Sequence, residues 1–172
     1  MSRGSLPIYV EPFRLCDANA SVSGSVAEKQ LERIREFSVG TTDRIDVNLK
    51  FWRDEEGRNR IGGTIDTVLH TKCERCLGPL DLKVHADVSL LAISAGAPLP
   101  ETDDELNIVE VEEERLLLAP LVEEEVLLAI PRFPAHDSCD MVAYDREAGS
   151  SQAKPEAKGN PFDVLAALKR KD

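Results

Sequence analysis

Between residues 44 and 51 the chain alternates: Ile45, Val47, Leu49 and Phe51 are interleaved with Arg44, Asp46, Asn48 and Lys50. A period of two is the mark of a strand with one buried and one wet face. Asp54-Glu-Glu-Gly-Arg-Asn59 has the length and polarity of a hairpin loop. The next strand is predicted over about 60–72, with Ile61, Ile65 and Leu69 on one face. Gly62 and Gly63 inside it predict a bulge or a close backbone approach. A turn from Cys73 to Pro79 follows, after which Leu80, Leu82, Val84, Ala86, Val88 and Leu90 alternate again. Three successive strands joined by short turns make an antiparallel meander, and 106–111 adds a short strand.

Two stretches carry the helical period instead. Ser25-Val-Ala-Glu28 has the form of a capping box, and Leu31, Ile34 and Phe37 follow at helical spacing. A helix is therefore predicted over 26–37, with Gly40 beyond its end. Leu116, Leu117, Leu121, Val122, Val126, Leu127, Leu128 and Ile130 form a second stripe, with Glu123 to Glu125 on the wet side. Pro120 fits if that helix starts only a few residues earlier, and Pro131 and Pro134 end it. Residues 6–16, interrupted by Pro7 and Pro12, read as an irregular opening strand. The expected fold is one α+β domain over 5–140: an antiparallel sheet, open or curled toward a barrel, with two packed helices.

Beyond 140 the pattern fades. Residues 141–159 are predicted to be a flexible linker, rich in Ala, Gly, Ser, Lys and Glu. Residues 160–172 then resume a helix, with Asn160 as N-cap and Pro161 in the first turn. Phe162, Leu165 and Leu168 share one face, and Lys169 and Arg170 close the segment. Such a tail either docks on its own domain or binds a partner.

Charge narrows the function classes. The chain has 172 residues and a net charge of −11, which excludes a generic nucleic-acid binder held by clustered Lys and Arg. Residues 101–125 hold eleven carboxylates against one base, Arg115, so nearly all the net charge is local. That stretch is either a solvated loop leading into a helix or an acidic face for a basic partner such as a ribosomal protein. No apolar run has signal-peptide or membrane-spanning length, so a cytoplasmic protein with reduced cysteines is expected.

The candidate chemistry lies in Cys73-Glu-Arg-Cys76, with His136 and Cys139 some sixty residues on. Two thiolates from a tight turn and a later Cys and His can hold one zinc ion. The same pair can instead cap a hairpin as small residues or act as a redox couple, although flanking strands suit a redox couple poorly. Cys16 reads as a core residue, and His70 and His85 as surface or half-buried strand residues. Lys72, Arg75 and Lys83 around the turn make a small basic spot, enough for weak RNA phosphate contact. No phosphate-binding loop or nucleophile elbow is present. A zinc with four protein ligands would be structural, so no enzyme is expected.

Taken together, Cys73-Glu-Arg-Cys-Leu-Gly-Pro79, the Leu121 to Pro131 helix, Pro134-Ala-His-Asp-Ser-Cys139 and Asn160-Pro-Phe-Asp-Val-Leu-Ala-Ala-Leu-Lys-Arg-Lys171 resemble the large ribosomal RNA subunit accumulation protein (YceD) family. The resemblance spans roughly 40–171. It implies a bacterial role in synthesis, processing or stability of 23S ribosomal RNA and so in large-subunit biogenesis. Expected partners are precursor rRNA, a ribosomal protein or a processing factor. A direct rRNA-binding module and an RNA-processing enzyme are the rival readings.

Overall fold

A computed structural model of the chain describes residues 4–39, 44–99 and 107–140. Its three longest strands stand where the alternation is most regular: β3 (Ile45–Arg53), β4 (Asn59–Lys72) and β5 (Pro79–Ser94). They pair antiparallel in unbroken register, Phe51 opposite Ile61 and Ile61 opposite Leu90. Residues opposite one another share a face. Ile45, Val47, Leu49, Phe51, Ile61, Ile65 and Leu69 therefore line one inner surface, all of them buried. Each such side chain contributes roughly 1.5–3 kcal/mol on leaving water. The loop at 54–58 is closed by Asp54, whose carboxylate accepts from the Arg58 backbone N–H and guanidinium.

Two further strands complete a five-stranded sheet of order β2-β3-β4-β5-β6. β2 (Ser21–Val26) pairs antiparallel with β3, and β6 (Asn107–Val111) lies parallel to β5. The other elements are β1 (Tyr9–Val10), β7 (Leu116–Leu117) and the helices α1 (Pro12–Asp17), α2 (Glu32–Phe37) and α3 (Leu118–Ala129). β1 and β7 form a separate two-stranded ladder. α3 buries Leu118, Leu121, Val122 and Val126 in the same core as the inner sheet face.

The α+β class, the meander and the late helix stand as expected, with Pro120 in the first turn of α3, although Leu116 and Leu117 of the expected helical stripe form strand β7 instead. Five details differ. The opening strand shrinks to Tyr9–Val10, because Pro12 starts a helix whose Cys16 is buried. The helix expected over 26–37 is confined to 32–37, after a 3-10 turn at 28–30. Ser25 is not a cap; it is buried in β2, opposite Asp46. The sheet does not close into a barrel: its order runs from β2 to β6 with no pairing between them. Gly62 and Gly63 make no bulge, since the β3–β4 register runs straight through them. The expected linker at 141–159 and tail helix at 160–172 lie outside the described residues.

Candidate metal centre

β4 and β5 outrun β3. The β3 ladder ends at Asp46 opposite Asp66, whereas β4 and β5 stay paired to Lys72 opposite Pro79. The result is a two-stranded arm whose tip is the Cys73–Gly78 turn. That turn is closed at both ends: Leu77 N–H donates to the Cys73 carbonyl (2.9 Å), and Cys73 N–H donates to the Gly78 carbonyl (2.9 Å). Leu77 takes a left-handed conformation (φ 58°), an unusual one for a branched side chain. This fold-back aims two backbone N–H groups at one sulfur, from Arg75 (3.4 Å) and Cys76 (3.5 Å) to Cys73 Sγ.

The loop after α3 supplies the other half. The Pro134 carbonyl accepts from Glu74 N–H (2.8 Å), which ties the loop to the turn. His136 and Cys139 then reach the cysteines. Cys73 Sγ lies 3.7 Å from Cys139 Sγ, and Cys76 Sγ lies 3.4 Å from His136 Nδ1. All four donor atoms fall within 4.8 Å of one another.

These separations fit zinc. A tetrahedron with Zn–S near 2.3 Å and Zn–N near 2.05 Å has S–S edges of about 3.8 Å and S–N edges of about 3.5 Å. They do not fit a disulfide, whose sulfurs stand about 2.05 Å apart, and all four cysteines of the chain are free. His136 is also oriented as a ligand. Its Nε2 lies 2.9 Å from the Pro79 carbonyl oxygen. A carbonyl can only accept, so Nε2 carries the proton and Nδ1 presents its lone pair to the thiols.

The electrostatics agree with the geometry. Burial alone would push the Cys73 thiol up, but the backbone N–H groups of Cys76, His136 and Arg75, with help from the Cys76 side chain, outweigh it and bring it down to about 5. Cys139 moves the other way, raised by burial and then by its contacts with Cys73 and Cys76. One preformed thiolate beside further thiols is the donor set that a cation completes.

The other expected site residues are dispersed. Lys72 and Lys83 lie exposed on the outer face of the arm, separated by the His70–Asp81 pair (2.7 Å). Arg75 is exposed too, but it leans toward the cysteine cluster, its Nη1 4.0 Å from Cys139 Sγ. Pro161, Phe162, Leu165, Leu168, Lys169 and Arg170 lie outside the described residues. Cys16 is apart from the cluster, buried in α1, its thiol raised by that burial. Sequence reasoning passed over Trp52, which lies on the outer face of β3 with its ring over Gly62. The signal was available: a lone tryptophan in phase with Lys50, across a hairpin from two glycines.

Comparison with known proteins converges on one family. A family model described as Large ribosomal RNA subunit accumulation protein YceD matches residues 61–169. A curated Haemophilus influenzae protein named Large ribosomal RNA subunit accumulation protein YceD is 28% identical over 176 residues, spanning 99% of this chain and 100% of its own length. No solved structure matches the chain.

Proposed function

The chain belongs to the family of large ribosomal RNA subunit accumulation proteins (YceD), and from that premise we propose that it is a non-enzymatic cytoplasmic factor supporting 23S rRNA synthesis, processing or stability. The observation that carries the reading is the family match, which includes the cysteine turn, the α3 helix and the tail as far as Lys169. The metal site supports a binding role over a catalytic one. Zinc held by Cys73, Cys76, His136 and Cys139 has four protein ligands and no open position for substrate. Its work is to pin the 131–140 loop to the tip of the β4–β5 arm.

On this reading the protein meets its partners through surfaces. Glu110, Glu112, Glu113 and Glu114 are exposed on β6 and just after it, and suit a basic ribosomal protein or processing factor. The tail, whose sequence spaces Phe162, Leu165 and Leu168 for one face of a helix before Lys169 and Arg170, suits the precursor particle. No described helix is long and apolar enough to cross a membrane. Depleting the protein from its host should lower 23S relative to 16S rRNA, and purified protein with Mg²⁺ should leave rRNA intact. An unchanged ratio, or cleavage that survives rigorous purification, would overturn the reading.

A further inference from the structure

The outer face of the five-stranded sheet carries an aromatic platform. Trp52 is the chain's single tryptophan and is half-buried. The six-membered part of its indole lies over Gly62, where a Cβ would stand 2.7 Å from Cη2 and 3.0 Å from Cζ3. Any residue but glycine would lift the ring off the sheet. Two cations flank it. Lys50 is directly opposite Gly62, is exposed and forms no ion pair among the described residues. Arg60 is opposite Trp52, and its guanidinium donates to the Ser89 hydroxyl (3.2 Å) but to no carboxylate among the described residues. Beside the ring, a depression of about 580 Å³ runs along Lys50, Trp52 and Arg53 to Asp17 and Asn19 of the α1 end. Arg53 is neutralised there by Asp17 (2.5 Å), which leaves Lys50 and Arg60 as the free charges.

An indole on a sheet between two unneutralised cations has the chemistry of a single-stranded nucleic-acid contact: a π-face for an unpaired base and a charge for each neighbouring phosphate. Paired bases cannot reach such a platform, because their faces are already stacked. We propose that this face binds an unpaired segment of RNA, one base stacking on Trp52 and adjacent phosphates meeting Lys50 and Arg60. The choice of RNA rests on the family reading above, while the geometry is independent of it. With only two unneutralised cations beside the ring and the net charge negative, affinity is modest.

Trp52 reports on itself. Titrating the full-length, zinc-loaded protein with a twelve-nucleotide oligo(U) or oligo(A) should quench its fluorescence saturably, and a duplex of equal length should quench it much less. By anisotropy of labelled oligonucleotide, Trp52→Ala should weaken binding roughly 5- to 100-fold, with Trp52→Phe retaining most of it. Lys50→Ala and Arg60→Ala should each reduce the slope of log affinity against log salt by about 0.7. Circular dichroism of each variant separates lost binding from lost fold. Absence of quenching, equal binding of duplex, anisotropy indifferent to Trp52→Ala in a folded variant, or quenching by a basic peptide and not by RNA would each overturn the proposal. Failure here with 23S rRNA still falling on depletion removes the platform and leaves the family role standing; binding here with 23S rRNA unaffected does the reverse.

Discussion

At Gly63 the backbone adopts φ +150°, and a Cβ built there would stand 1.9 Å from the Asn48 carbonyl oxygen. β3 and β4 can approach this closely only because that side chain is missing. Gly63→Ala should therefore cost about 2–4 kcal/mol, read as a lowered urea midpoint; an unchanged midpoint would show that the strands part freely. The glycine pair was legible as a sign of close approach, but its details were not. Alternation says which face a residue occupies and nothing about the ring that crosses to it, so Trp52 over Gly62 escaped notice. The cysteine cluster shows the same limit. Cys73 and Cys76 announce themselves by spacing, and His136 and Cys139 by type. That His136 points Nδ1 inward depends on the Pro79 carbonyl, which reaches it only after the hairpin has formed.

Strands β3, β4 and β5 were readable to within two to four residues at their ends because their period of two is sustained and their turns are short and polar. β2 was not, because Ser21-Val-Ser-Gly-Ser-Val26 has few apolar residues to alternate, and its Ser25 and the following Glu28 imitate a capping box. α2 explains why the imitation misled. It has no side-chain cap of its own. The first-turn N–H groups of Arg33 and Ile34 both donate to Glu123 Oε1, at 2.8 and 3.3 Å. The cap arrives from α3, ninety residues along the chain, where no local pattern can signal it. Glu123→Ala should cost about 1 kcal/mol, and Glu123→Gln, which keeps an acceptor oxygen, should cost less. Thermal unfolding of both variants checks this, and equal loss in the two would mean that the carboxylate acts through charge instead.

For the whole molecule, the class of fold followed from two periodicities, and the open sheet did not, because closure depends on whether edge strands meet. β6 lies parallel to β5, a pairing that needs a long connection and leaves no mark in alternation. The acidity is confined to one stretch, and the proposal that the protein acts by binding rests on the family match. The Cys73, Cys76, His136 and Cys139 cluster joins the sheet's arm to the loop after the last described helix. The central claim is that this joint is zinc, and the direct test is metal analysis of protein purified without chelators, alongside Cys73→Ser. The account predicts about one zinc per chain, bound through three sulfurs and one nitrogen by X-ray absorption, and lost in the variant. Wild-type protein that is folded, reduced and metal-free, and takes up no added zinc, would contradict it.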